Sequence, residues 1–516
     1  MAVDYSLYLV TDNTPAILGQ KDLVQVVKEA VEGVGVTIVQ LRDKTSETAE
    51  LVRIAKDLHK VTRQHNVPLV INDRVDVALA AGVEGVHVGQ DDMDLATARK
   101  LLGKDAIIGV SANTIEEAEA AARGGADYLG IGALYSTQTK NNIKNIMGTS
   151  GAQKILEHLV ANDLDVKTVC IGGINAATAQ RTIYQSATPS KSFDGIAVVS
   201  AIIAAEDPRA VASHLRHLVA TPPPFATSTT TAPLSRADIL SRVPALVKRL
   251  AEKKPLCHNM TNLVVQNFAA NVALAVGASP IMSNNSLEAA DLAALGGALV
   301  INMGTTTPGI REEHLRALAA YNAVGGPTLL DPVGAGATEQ RRQGVKALLA
   351  AGYFDVIKGN EGEIRTVSGA SGVKQHGVDS GASNLSIDQR ARLVKQIAAR
   401  ERNIVLMTGS TDVVSDGRRT FTIENGHEFL GDITGSGCTL GTTIASFLAV
   451  EREDKLLATV AGILMYEIAA ERAAQKPAVN GPGTFVPAFI DELYAIRQES
   501  SKGQNEWIQA AKIQEA

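Results

Sequence analysis

Residues 37–44 read Thr37-Ile38-Val39-Gln40-Leu41-Arg42-Asp43-Lys44, an apolar β-branched run that stops abruptly in charge. Residues 68–73, Pro68-Leu69-Val70-Ile71-Asn72-Asp73, repeat the pattern. Short runs of this kind, bounded by polar residues, are strand signals. Working outward, the same signal marks strands at Ser6–Val10, Thr37–Leu41, Pro68–Asn72, Gly85–Val88, Ala106–Val110, Tyr128–Gly132, Thr168–Ile171 and Gly195–Val199. Each gap has room for a helix, and Lys21–Val31 and Glu116–Ala122 carry helical apolar spacing. Eight βα units across residues 1–220 predict a (β/α)8 TIM barrel. An open doubly wound sheet shares the alternation and is the competing arrangement.

In such barrels the working groups stand at the C-terminal ends of the strands. Strand two ends in Gln40, Arg42 and Lys44, strand three in Asn72 and Asp73, and strand four runs into Asp92. Strand five ends in Ser111, strand six leads to Thr137, Thr139 and Lys140, strand seven to Gly172-Gly173, and strand eight to Val199-Ser200. Asp73 and Asp92 are candidate oxygen ligands on adjacent strands. Arg42, Lys44 and Lys140 are cations, and Ser111, Thr137 and Thr139 are hydroxyl donors. A diphosphate with Mg²⁺ needs this mixture: hard carboxylates hold part of the octahedral shell, and cations offset the remaining charge. Gly173 and Val199-Ser200 suit a phosphate cradle after strands seven and eight. A lone Asp after a strand is usually a helix N-cap. Recurrence of polar groups at the same end of nearly every strand carries the functional reading. Residues 141–150 follow as a candidate lid loop.

Residues 221–234, rich in Pro, Ser and Thr, read as a linker. Beyond it, residues 235–516 open with an amphipathic helix carrying Ile239, Val243, Leu246, Val247 and Leu250 on one face. Strands follow at Ala298–Met303, Thr328–Asp331, Val356–Lys358 and Ile404–Thr408, with a hairpin Asp412–Ser415 and Arg419–Glu424 turning at Asp416-Gly417. This predicts a three-layer α/β domain. Residues 371–386 read as a loop, and the polar residues from about Gln498 onward as a loose tail or terminal helix. The richest motif is Gly431-Asp432-Ile433-Thr434-Gly435-Ser436-Gly437-Cys438-Thr439-Leu440-Gly441, glycines leading into an apolar helix. Backbone N–H groups at such a helix start stabilise charge on phosphoryl oxygens. It is neither a Walker loop nor a dinucleotide fingerprint. Asp331, Lys358, Glu363 and Thr408 stand at or just beyond strand ends, where carboxylates and amides suit a Mg–nucleotide site. Residues 257–262 and 277–282, the latter ending in Met282, suit the walls of a small apolar substrate site.

Composition narrows the classes. Over 516 residues the formal net charge is -6, so no nucleic-acid surface is expected. Apolar stretches break before the roughly 18 residues a membrane span needs. Three scattered cysteines, Cys170, Cys257 and Cys438, exclude a Cys-x-x-Cys zinc site and fit a reducing, cytoplasmic setting.

The first half resembles thiamin phosphate synthase through Gln40–Lys44, Val70–Asp73, Gly85–Asp92, Gly109–Ala112, Gly130–Lys140, Ile171–Ile174 and Asp194–Ala201, in that order. The resemblance implies coupling of a hydroxymethylpyrimidine diphosphate to a thiazole phosphate with release of pyrophosphate. It implies that Asp73 and Asp92 hold Mg²⁺. Gln40 falls in the same substrate-binding set; Arg42, Lys44, Asn72 and Lys140 contact the diphosphate side; Ser111 binds the pyrimidine or its diphosphate; and Thr137, Thr139, Gly173, Val199 and Ser200 hold the thiazole phosphate. Arg42 and Lys140 are its candidate catalytic cations. The second half, roughly Ser235–Leu493, resembles hydroxyethylthiazole kinase of the ribokinase-like fold. That resemblance implies ATP as phosphoryl donor to a thiazole alcohol, with Met282 and Gly435 at the alcohol, Lys358 and Thr408 at ATP, and Asp331 and Glu363 organising Mg²⁺. Cys438 stands where ribokinase-like relatives usually place a catalytic Asp, and thiazole kinases often carry Cys there. Lys358 departs from the Arg of many relatives and loses its bidentate fork. Together the halves imply a bifunctional enzyme whose kinase product is the synthase substrate. One active half with a regulatory or scaffolding partner domain is the alternative. Related thiazole kinases are trimers with sites between subunits, so a homo-oligomer built on kinase-domain trimers is expected.

Overall fold

The computed structural model describes residues 3–137, 146–226, 234–369 and 385–516. They divide into two compact units, Met1–Pro223 and Pro224–Ala516.

In the first unit the βα alternation closes on itself. Strands β1 (Leu7–Val10), β2 (Ile38–Leu41), β3 (Leu69–Asn72), β4 (Gly85–Val88), β5 (Ile107–Ala112), β6 (Tyr128–Ile131), β7 (Lys167–Cys170) and β8 (Gly195–Val198) pair in sequence order, all parallel, and β8 returns to β1. The open-sheet alternative is thereby excluded. Side chains alternate across the pleat. Tyr8, Ile38, Val70, Tyr128, Val169 and Ala197 fill the barrel interior, while Leu7, Leu9, Val39 and Ile71 pack outward against the helices. The register sets Gln40 beside Val70, Asn72 beside His87, His87 beside Gly109, and Ser111 beside Gly130. Polar groups at inward positions are thus gathered toward the barrel mouth.

The second unit is built on a sheet ordered β10-β9-β11-β12-β13-β14-β15-β16-β17, with β9 (Leu256–Met260), β10 (Ser279–Ile281), β11 (Ala298–Asn302), β12 (Thr328–Asp331), β13 (Val356–Asn360), β14 (Ile404–Thr408), β15 (Asp412–Ser415), β16 (Thr420–Ile423) and β17 (Ile513–Glu515). Strands β10 through β14 are parallel, and β15 to β17 continue the sheet antiparallel. Helices Arg236–Lys253, Ser436–Val450, Lys455–Ala474 and Pro482–Ser501 share one apolar core with the sheet. Helices Pro308–Val324, Glu361–Ser368 and Ile387–Glu401 share another, which makes the three layers.

Two expectations are corrected. The tail is not loose: Trp507 is buried and donates its indole N–H to Ser500 Oγ (2.9 Å), and β17 pairs with β16. Its few apolar residues, Trp507 and Ile513, are enough to seat it. Nor is all of 221–234 a bare linker. Phe225 is buried and stacks on Tyr353 with centroids 4.4 Å apart, and its carbonyl accepts from Lys455 Nζ (2.7 Å). A single aromatic in a Pro/Thr-rich run supplied the anchor. Residues 371–384 of the expected loop lie outside the described residues. So do 141–145 of the candidate lid, and its remainder enters helix Gly148–Ala161.

Candidate active sites

At the barrel mouth Lys44 Nζ forms an ion pair with Asp73 Oδ2. Asp73 ends β3 with a left-handed φ of 63°, its N–H held by the His87 carbonyl of β4 (2.9 Å). That turn aims the carboxylate at the loop after β4. Asp92 in that loop accepts from Gly89 N–H (2.7 Å). Burial raises the Asp92 pKa, and the neighbouring Asp73 carboxylate raises it further, against the pull of Lys44. Two carboxylates from adjacent strands therefore stand close enough to repel, with one ammonium beside them. This is an arrangement that a divalent cation relieves. Arg42 Nη1 reaches the buried Asp12 carboxylate (3.4 Å), and Asn72 is half-buried at the end of β3.

Gly173, at φ 69°, lies against the loop after β6: a Cβ there would come within 2.8 Å of Ser136 O. The structure thus brings Gly173 to the segment carrying Thr137. Val199 caps the short helix Ser200–Ile203 immediately after β8. Thr139 and Lys140 lie outside the described residues.

The sequence reading missed three interior groups. Tyr8, His87 and Tyr128 were absorbed into apolar strands, yet they hydrogen-bond in a line with Gln40 and Ser111. The available signal was His87 standing in a strand flanked by glycines.

In the second unit the parallel strands deliver their ends to one edge of the sheet. Asp331, closing β12, is 1% exposed. Its Oδ1 accepts from Lys358 Nζ (3.2 Å) and its Oδ2 from Asn302 Nδ2 (2.9 Å), at the end of β11. Asn302 Oδ1 accepts from Asn262 Nδ2 (3.0 Å), which lies 3.5 Å from Cys438 Sγ. A continuous polar line therefore runs from Lys358 to Cys438. Asn262 and Asn302 were not foreseen, although a polar residue closing a strand was the signal used in the barrel. Burial works against the Lys358 charge, but Asp331, Cys438 and Glu363 outweigh it and hold the ammonium protonated. Burial, with the Asp331 charge, pushes Glu363 up to about 7. Glu363 also closes a capping box with Asn360 and accepts from Gly334 N–H (2.8 Å).

Above this line sits the start of helix Ser436–Val450. Gly435 caps it at φ 90° and abuts Val265 and Phe268, and no side chain caps the first turn. A Cβ on Gly437 would fall 3.6 Å from Lys358 Nζ. Free N–H donors of the first turn and the ammonium thus face one space, which suits a phosphate. Cys438 is half-buried, and burial and Asp331 push its thiol up to about 11. Thr408 ends β14 opposite Asn360. Met282 stands one residue past β10, at the sheet edge.

Residues 7–202 match the thiamine monophosphate synthase family, and residues 247–499 match the hydroxyethylthiazole kinase family. The chain is 44% identical over 520 residues to the probable thiamine biosynthetic bifunctional enzyme of Schizosaccharomyces pombe, covering 100% of this chain and 99% of that one. It is 39% identical over 529 residues to the thiamine biosynthetic bifunctional enzyme of Saccharomyces cerevisiae, covering 96% of each. Its second half is 42% identical over 252 residues to a hydroxyethylthiazole kinase of Moorella thermoacetica, which covers 49% of this chain and 92% of that kinase. Full-length similarity of this kind joins both sites to one lineage: the chain belongs to the bifunctional thiamine biosynthetic enzymes, with a thiamin phosphate synthase half preceding a hydroxyethylthiazole kinase half.

Proposed function

We propose that the kinase half phosphorylates a thiazole alcohol with ATP and that the barrel joins the resulting thiazole phosphate to a pyrimidine diphosphate. The observation that carries the barrel assignment is the convergence of Asp73, Asp92 and Lys44 at one mouth. Asp73 and Asp92 fit Mg²⁺ and would hold it; bound there, it supplies positive charge to the departing pyrophosphate. Arg42, Lys44, Asn72 and Lys140 take the diphosphate, Gln40 and Ser111 the pyrimidine end, and Thr137, Thr139, Gly173, Val199 and Ser200 the thiazole phosphate. Arg42 and Lys140 offset charge as it develops on the leaving group. The thiazole nitrogen then attacks the freed methylene carbon, so no protein nucleophile is required.

In the kinase half, Lys358, Thr408 and the helix start at Gly435 receive the nucleotide and the alcohol. Met282 lines the alcohol side. Asp331 and Glu363, two buried acids within electrostatic reach of each other, would organise Mg²⁺. Cys438 stands at the phosphoryl-transfer end of the site. Among the described residues no helix is long and apolar enough to cross a membrane. With three free cysteines, this supports a cytoplasmic setting. Exposed Leu263, Val264 and Leu287, on loops following β9 and β10, support assembly through the kinase half, for which a trimer is the expected form.

The test is a coupled assay on the full chain. ATP, Mg²⁺, thiazole alcohol and pyrimidine diphosphate should yield thiamin phosphate by mass spectrometry. Asp92→Asn should abolish that product while thiazole phosphate still accumulates. Loss of both products in a folded variant contradicts independent sites.

A further inference from the structure

Five polar side chains on five strands form one unbroken line across the barrel interior. Gln40 Nε2 donates to Tyr8 Oη (2.8 Å), and Tyr8 Oη meets Tyr128 Oη (2.6 Å). Tyr128 Oη meets His87 Nδ1 (2.9 Å), and His87 Nε2 meets Ser111 Oγ (2.9 Å). Tyr8 and Tyr128 are 1% and 0% exposed, and burial lifts both phenols well above their ordinary pKa, so both keep their protons. Apolar residues would fill the same space without the cost of desolvating polar groups.

Two glycines make the room. A Cβ on Gly109 would fall 2.0 Å from Tyr128 Cζ, and one on Gly130 would fall 3.1 Å from His87 Cε1. Neither glycine adopts a left-handed backbone. Their missing side chains serve the Tyr128 and His87 rings.

The line has a direction. Each phenol carries one proton to give, and a neutral imidazole carries one. With the Gln40 amide donating into Tyr8, Tyr8 donates to Tyr128 and Tyr128 to His87 Nδ1. His87 must then carry its proton on Nε2 and donate to Ser111. Ser111 keeps a hydroxyl proton to give outward, and Gln40 keeps its carbonyl oxygen to accept. Coupling the two substrates transfers no net proton, so the line acts through polarity and not as a shuttle.

We propose that Tyr8, Tyr128 and His87 are positioning residues of the synthase, a hydrogen-bonded line that locks the His87 tautomer and presents an acceptor at Gln40 and a donor at Ser111 to an aminopyrimidine. The ligand's chemistry matches: its amino group donates, and its ring nitrogens and diphosphate oxygens accept. As pyrophosphate leaves, positive charge spreads onto the amino group, so an acceptor held there binds the transition state more tightly than the ground state. The inference rests on placing the pyrimidine end at Gln40 and Ser111.

The experiment uses the full chain, with kinase activity of the same sample as the check on integrity. Tyr128→Phe should lower synthase kcat by about 10- to 100-fold while KM moves less, the range for losing a transition-state interaction. Added to Ser111→Ala, it should cost no more than about twofold further, because both changes cut one line. His87→Gln, which can accept and donate in the same order, should retain several-fold more activity than His87→Leu. If Tyr128→Phe fails to fold, Tyr8→Phe is read in its place. Losses that multiply in the double variant, or equal losses for His87→Gln and His87→Leu, overturn the line as a positioning device. An undiminished Ser111→Ala overturns instead the placement of the pyrimidine, and the line's role with it.

Discussion

The sharpest quantitative test concerns Cys438. Its thiol stands at about 11 because it is buried beside Asp331, with Lys358 and two asparagines only partly compensating. At pH 7 about one such thiol in ten thousand is ionised, so calling on the thiolate costs about 5 kcal/mol. General-base catalysis contributes about 10²- to 10⁴-fold, or about 3–5 kcal/mol. The cost of making the base therefore cancels what it contributes. Phosphoryl transfer then depends on the helix start at Gly435 and on the Lys358 ammonium, which are charged or polar at no further cost. The measurement is kinase kcat against pH between about 7.5 and 9.5, reading ADP release with saturating thiazole alcohol. A working thiolate would raise the rate about tenfold per pH unit; the structure predicts a flat profile. Cys438→Ser should stay within about fivefold of the parent, the scale of a lost contact and not of a lost base. Cys438→Asp should retain or raise activity, because Asp331 lifts the new carboxyl toward the range of a useful base. A unit-slope rise in the parent that disappears in Cys438→Ser would refute the reasoning. So would a folded but inactive Cys438→Asp.

Three further outcomes follow from buried charge and packing. Lys358→Met leaves Asp331 at 1% exposure without its cation and should destabilise the second unit by about 3–5 kcal/mol, read by urea denaturation. Asp412 is pushed up to about 6 by burial, and its neighbour Glu467 is raised by burial and by the Asp412 charge. Both folded pKa values exceed the unfolded ones, so the fold holds protons that the unfolded chain releases. Thermal stability of the second unit should be greatest in acid and fall as pH rises through about 6, and Glu467→Gln should flatten that fall. Trp507→Ala should cost about 3–5 kcal/mol, since the indole is buried; an unchanged melting temperature would mean that the tail is dispensable.

What was legible in the sequence followed one physical rule. Where a strand's apolar run gives way to charge, the charge faces solvent or ligand, so Asp73, Asp92, Asp331 and the Gly435 turn announced themselves. The barrel was legible for the same reason, since strands buried on both faces read as continuous β-branched runs. Failures came where that rule inverts. Leu256–Met260 contains His258 and Asn259, both fully buried, and did not read as a strand, although it lies between β10 and β11 in the sheet. Tyr8, His87 and Tyr128 failed in the opposite way: they sit inside apolar runs, where a phenol or imidazole counts as one more filler of the core. Only the register, which sets His87 beside Gly109 and Gly109 beside Tyr128, turns two glycines and two rings into one fitted object. Polar groups that satisfy one another across a barrel leave no trace in linear order, because each one's partner is on another strand. A sequence therefore marks the groups that meet the ligand more plainly than the groups that hold them in place, and the second set is where substitutions should expose effects on kcat that no motif foretells.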